Sequence, residues 1–119
     1  MSRLVDERAA IAGALEAGGI RVATTGAIAA PCVLLEPGDP WSEPRRAPGR
    51  VGRWRLTAIA GVADTTAALG ELGELVDLVD VALRRLDGAQ LPTWGRPVEL
   101  ELAGLRRAVT VATIQYASS

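Results

Sequence analysis

The sequence predicts an α+β domain, a mostly antiparallel sheet of about five strands with two helices packed on one face, in the order α-β-β-β-α-β-β. Three observations predict it. Apolar residues recur at helical spacing in two separated stretches, residues 3–17 and 65–86. Segments alternating apolar and polar residues lie between and after them. The last two such segments are joined tightly enough to form a hairpin. A chain of 119 residues, 49% of them hydrophobic, makes one domain, 1–119, with a modest core. A domain this small buries only about two thirds of the surface its unfolded chain exposes, so burial between copies adds to its stability.

In the first helix Leu4, Ile11 and Leu15 share a face with Val5 and Ala12. Ser2 stands at its N-cap, Asp6 and Glu7 complement its first turns, and Gly18-Gly19 ends it. Arg8 falls inside the apolar stripe, where it either snorkels at the edge of the core or pairs with a neighbouring subunit. Ile20 to Thr24 reads as a short strand, and Cys32 to Glu36, framed by Pro31 and Pro37, as a second. Residues 37–52 hold four prolines and three glycines and read as a long loop, which in a compact domain is functional or disordered. Arg53 to Val62 returns to strand, with Trp54, Leu56, Ala58, Ala60 and Val62 on one face.

The longest helix runs from about Thr65 to Leu86, capped by Asp64 or Thr65 and closed by Asp87-Gly88. Leu69, Leu72, Leu75, Val76, Val79, Leu83 and Leu86 form its core-facing stripe. Glu71, Glu74, Asp77, Asp80 and Arg84 lie outside the stripe, with Asp80 spaced to pair with Arg84. Leu78 and Val81 also point away from it, one turn apart. They are either scattered surface residues or a second buried face, against another subunit or a folded-back loop. In the final hairpin Val98, Leu100 and Leu102 alternate with Glu99 and Glu101. Ala103-Gly104 makes the turn, and Leu105, Val109 and Val111 return. A two-residue turn sets Arg106 opposite Glu101 but puts Arg107 on the apolar face, which leaves the register open.

Composition narrows the chemistry. The chain has no His, Lys, Phe or Asn, and all 13 basic residues are arginine, the mark of very GC-rich coding. Without His there is no general base tuned to neutral pH, no nucleophile–histidine system and almost no route to zinc, since Cys32 is the only soft ligand. Without Lys there is no Schiff base and no P-loop. A lone cysteine in the run Cys32-Val33-Leu34-Leu35 reads as a small buried hydrophobe. Glu99 and Glu101 are the one carboxylate pair with suggestive spacing, and a solvated strand face explains them. No enzyme, catalytic residue, cofactor or metal is expected. No charged stretch followed by an apolar one suggests a signal peptide, and no run nears the roughly 18 apolar residues of a membrane span. The expectation is a soluble protein made in the cytoplasm, with no membrane partner. A net charge of -1 excludes a globally basic nucleic-acid binder.

The charge is nonetheless unevenly placed. Arg45, Arg46, Arg50, Arg53 and Arg55 fall within one short segment without an acid, with Trp41 before it and Trp54 inside. Residues 64–87 carry six acids against two arginines. Trp41, Arg45, Arg46, Arg50 and Arg53 are therefore candidates for partner binding, together with Leu78 and Val81. The arginine segment reads as a solvated loop, a protein contact or a contact with DNA. A basic loop meeting the acidic helix of a copy is a heterologous contact, the kind that closes into rings.

The order of elements also carries a resemblance. It combines an amphipathic first helix with the Ile20-Arg21-Val22 strand and the proline-bounded Ala30-Pro31-Cys32-Val33-Leu34-Leu35-Glu36-Pro37 strand. The segment Trp54-Arg55-Leu56-Thr57-Ala58-Ile59, a Leu-rich helix, and a hairpin ending Thr110-Val111-Ala112-Thr113-Ile114 follow. Across nearly the whole chain this is similar to the tail terminator (tail completion) proteins of long-tailed actinobacteriophages. The resemblance implies a hexameric ring in the virion, at the head–tail junction. Such a ring sits on the last ring of the tail tube, stops tube polymerisation and offers a surface to head-closure or neck proteins. DNA passes through it without sequence-specific binding. The family has no catalytic residues to carry over. Two rival readings are a head-closure or neck connector of the same junction and a small-molecule-binding α+β regulatory domain, which needs a pocket with converging polar groups.

Overall fold

The computed structural model describes residues 2–23, 28–44, 50–102 and 104–117. Helix α1 (Arg3–Ala17) is followed by strands β1 (Val22–Ala23), β2 (Cys32–Pro44) and β3 (Arg50–Ile59). Helix α2 (Thr65–Arg84) and the hairpin of β4 (Val98–Leu102) and β5 (Leu105–Tyr116) complete the chain. This is the α+β order that the sequence predicts. The strands form one sheet, β1-β2-β3-β5-β4, antiparallel at every joint except the short parallel pairing of β1 with β2.

Both helices start where their caps dictate. The Ser2 hydroxyl accepts from the Val5 amide, and the Asp64 carboxylate accepts from the Ala67 amide at 2.9 Å, each satisfying an amide the first turn leaves open. The main core lies between the helices and one sheet face. Trp54, Leu56 and Ala58 of β3, Val33 and Leu35 of β2 and Ile114 of β5 meet Ile11 and Leu15 of α1 and Leu72, Val79 and Leu83 of α2. On the other face Cys32, Leu34, Ile59 and Val109 form a smaller cluster against which Ile28, Ala30 and Leu102 pack.

The helix stripes are rotated slightly from expectation. Leu69, assigned to the core, is 49% exposed, and Ala68 and Ala82 are buried instead. At the Ala82 end the two helices approach closely: a Cβ built on Gly18 would stand 3.1 Å from that of Ala82. Val5, expected on the core face, is 62% exposed, while Glu7 is 1% exposed. Asp80 accepts from Trp94 Nε1 at 3.4 Å, and no ion pair among the described residues joins it to Arg84.

The long loop expected over 37–52 is largely strand. β2 continues through Pro44 and β3 begins at Arg50, with Ser42, Glu43 and Pro44 facing Gly52, Val51 and Arg50. Four residues of β2, 38–41, stand against Arg53 alone, a bulge that absorbs the sequence irregularity. Prolines are compatible with this strand because, among the described residues, β2 has a partner on its outer side only at Val33 and Leu34, so beyond them it is an edge.

The hairpin has the register that a two-residue turn sets, Glu101 opposite Arg106 and Leu100 opposite Arg107. Gly104 takes a φ of 80°, and Ala103 lies outside the described residues. Arg107 belongs on its apolar face because its guanidinium reaches back to the Gly61 carbonyl at 2.6 Å. Arg106 forms its ion pair with Glu99, at 3.0 Å, rather than with Glu101. Beyond β4, the outer side of β5 is covered by residues 88–95. Gly95 donates to Val111, Gln90 to Gln115, and Ala117 to Gly88. Among the described residues the open ladder edges of the sheet are thus β4 and the proline-bearing length of β2.

Candidate functional site

The paired continuation of β2 and β3 forms an arm at the end of the sheet. Among the described residues β5 pairs with β3 only as far as Gly52, so beyond that point the two strands have only each other. An isolated two-stranded ribbon is marginal in water, and side chains at the root anchor this one. Glu7 of α1 accepts a hydrogen bond from Trp54 Nε1 at 3.0 Å, and its other carboxylate oxygen lies 3.8 Å from the Arg3 guanidinium. Gly52 is required beside it, because a Cβ there would overlap the Glu7 carboxylate. Arg3 stacks over Trp41, 4.7 Å from the ring centroid, and also donates to Ser42 Oγ. The N-terminal end of α1 therefore fixes the arm from one side.

Of the candidate residues from the sequence, Arg50 lies on this arm, and Trp41 and Arg53 lie at its root. Trp41 is half-buried, and its Nε1 is buried with no hydrogen-bond partner among the described residues. Arg50 is exposed and donates to Ser42 Oγ at 2.8 Å. Arg53 is half-buried and pairs across the strands with Glu43 at 3.1 Å. Arg45 and Arg46 lie outside the described residues.

Leu78 and Val81 lie elsewhere, on α2, 46% and 50% exposed. They border a groove of about 440 Å³ between the helices, floored by Ala14, Ala17, Gly18 and Ala82 and closed at one end by Arg85. Small residues open this groove: with no long side chain at these four positions, nothing fills the space between the helices. On its other side Leu78 borders a second hollow of about 300 Å³ with Ile20, Pro31, Glu71 and Glu74. Arm and groove are set at opposite ends of α1, whose 15 residues span roughly 22 Å.

A third feature was not legible in the sequence. A cleft of about 420 Å³ opens between the start of α2 and the β4–β5 hairpin, lined by Val62, Thr65, Leu69, Val98, Glu99 and Arg106 among others. It exists because Arg107 ties the hairpin to Gly61, a relation between residues 46 positions apart. Glu99 and Glu101, the spaced carboxylates, are both exposed, and Glu99 is already engaged by Arg106. Cys32 is fully buried, and burial is the main cause that pushes its thiol above the usual range.

The sequence matches no protein-family model and no curated protein. No helix is long and apolar enough to cross a membrane. Among the described residues no group of His, Cys, Asp and Glu is arranged to hold a metal ion.

Proposed function

We propose that this chain is a structural subunit of a phage head–tail junction, a tail terminator. In this reading it assembles as a hexameric ring on the last ring of the tail tube, halts tube growth and offers its other face to head-closure proteins. The observation that supports the reading is two unlike surface features on one small domain, an anchored arm and an inter-helix groove bordered by Leu78 and Val81, at opposite ends of α1. A subunit whose two patches differ and do not face each other assembles head to tail, and a head-to-tail contact that closes makes a ring. The order of elements, shared in outline with tail terminators, supplies the address.

The test is a tube-growth assay. Purified chain added to polymerising tail-tube protein should shorten the tubes and appear as an extra ring at one end in electron micrographs. Tubes of unchanged length with bare ends would refute the terminator role. Binding to filled heads in place of tubes would move the chain to the head-closure position in the same junction.

The cleft beside Arg106 favours a second reading, a small-molecule-binding domain, because it joins apolar walls to a converging arginine, glutamate and threonine. Thermal shifts on screening small acids and amides would support it, and a flat response would remove it.

A further inference from the structure

We infer that two copies of this chain pair through α2, antiparallel about a twofold axis that passes between Leu78 and Val81. The contact goes beyond the ring reading: it closes with two copies, so it describes how the chain pairs with itself away from a tube. Three observations point to it.

First, α2 carries a complete seam on its open side. Glu74, Leu78, Val81 and Arg85 are all exposed and follow one another at intervals of four, three and four residues, the spacing that keeps one stripe of a helix against another helix. They lie within about 60° of arc at roughly 100° per residue. Leu78 and Val81, 46% and 50% exposed, are the apolar middle of the stripe. Arg85 belongs to it because, as the C-cap, it keeps a right-handed helical backbone.

Second, charge complementarity names the occupant. The stripe is acidic at its N-terminal end and basic at its C-terminal end. Turned end for end, a copy sets its Val81 against Leu78 and its Arg85 against Glu74, and the twofold axis repeats both contacts. On the flank away from α1, Asp77 comes within reach of Arg84 of the copy in the same way. Glu74, Asp77, Arg84 and Arg85 form no ion pair among the described residues. A parallel copy would instead set Glu74 against Glu74 and Arg85 against Arg85. Exposed ion pairs contribute little each, so the charges fix direction and register while the apolar middle supplies the attraction.

Third, there is room. The other flank of the stripe is bounded by Ala14, Ala17 and Gly18 of α1, small residues beside a hollow of about 440 Å³, and a second hollow of about 300 Å³ lies next to Leu78. Leu78 and Val81 of the copy fill space that this chain's own side chains leave open. Sheet extension offers no rival, because aligning two copies of β4 antiparallel with their apolar faces together sets glutamate against glutamate.

Charge reversal tests the contact. An acid-to-base variant, Glu74→Arg with Asp77→Arg, and a base-to-acid variant, Arg84→Glu with Arg85→Glu, should each be monomeric by native mass spectrometry at concentrations where the unchanged chain is dimeric. Mixed one to one they should form the heterodimer, and all four reversals in one chain should restore the homodimer. Failure of either restoration, a reversed variant that dimerises like the parent, or a parent that is monomeric even at millimolar concentration would overturn the contact. If the reversed charges unfold α2, Glu74→Cys and Arg85→Cys serve instead, and the fully buried Cys32 stays out of their reaction. Mild oxidation of these two single variants together should give the 74–85 cross-link. The 74–74 cross-link should be absent, since the antiparallel register holds those positions about 16 Å apart along the axis. Equal yields would count against the proposal. A parent chain that caps tubes yet never self-associates overturns this contact alone. One that pairs through it but leaves tubes growing overturns the terminator role alone.

Discussion

The indole N–H of Trp54 donates to the carboxylate of Glu7, 47 positions earlier, at 3.0 Å inside the core. This bond joins α1 to the strand that carries the arm, and Glu7 is 1% exposed. Replacing Trp54 by Phe keeps most of the ring but leaves the carboxylate short of a donor. Hydrogen bonds to charged groups contribute about 1.5–3 kcal/mol, and Trp54→Phe should lower stability by that order in urea unfolding. Glu7→Gln, which keeps an acceptor for the indole, should cost less than Glu7→Ala, which leaves the indole N–H without one.

Gly52 and Glu7 should behave as a coupled pair. A methyl at Gly52 overlaps the carboxylate, so Gly52→Ala should destabilise by about 1–3 kcal/mol, the usual range for overpacking. Glu7→Ala removes the clash, and the double variant should be clearly more stable than the sum of the single losses predicts. Strict additivity in a double-mutant cycle would show that the two do not touch in solution.

Arg107 positions the hairpin through its bond to the Gly61 carbonyl. Arg107→Met retains much of the stem and loses the bond. Because the side chain is only partly buried, the expected loss is about 1–2 kcal/mol, at the lower end for a charged donor. Faster amide exchange should appear in β4 and its turn while the β3 ladder stays protected. Uniform loss of protection would assign Arg107 to global stability instead.

Cys32 should resist thiol reagents in the folded chain and react at once on unfolding, because it is fully buried and desolvation holds the thiol in its protonated form. The folded value is raised, so its contribution is fully present below the unfolded thiol value and is lost as pH rises. Stability should therefore begin to fall above about pH 8.5, where an unfolded thiol ionises. Cys32→Ala should remove that part of the alkaline decline, and an unchanged decline would place its cause in another group.

Leu78 and Leu72 offer a contrast on a single helix. Leu72 is buried, and Leu72→Ala should cost about 2–5 kcal/mol. Leu78→Gln and Val81→Gln alter exposed positions and should change monomer stability by about 0.5 kcal/mol or less, while reducing self-association. A large stability loss at Leu78 would mean that it serves the fold rather than a neighbour.

Most of the architecture was legible because it rests on local signals. Caps at Ser2 and Asp64, two helical periods and alternating strands point to the element order, whereas the hairpin register stayed open in the sequence because of Arg107 and follows the two-residue turn in the structure. What escaped depends on contacts distant in the chain. Glu7, Ile11 and Leu15 have i, i+4, i+8 spacing and share a buried face, yet an acid near a helix start reads as a complement to the helix dipole, and that reading says nothing of a bond to Trp54. Prolines and glycines over 37–52 argue for a loop by composition. The described part, 37–44 and 50–52, is strand because at a sheet edge the missing donors cost little and β3 supplies the pairing, while 45–49 lie outside the described residues. Of the candidate site, the exposed Leu78 and Val81 were readable from periodicity. The cleft beside Arg106 was not, since it depends on Arg107 reaching Gly61.

The guarded edges of this sheet have a consequence for how copies can adhere. With prolines along β2 and spaced acids on β4, neighbours brought together at high local density find both open ladder edges disfavoured for pairing. Adhesion is then left to side chains, above all to arginines and carboxylates, whose attraction weakens as salt is added. Association of this kind is tunable and reversible, and crowding these molecules should yield discrete particles that dissolve on raising ionic strength rather than fibres that persist.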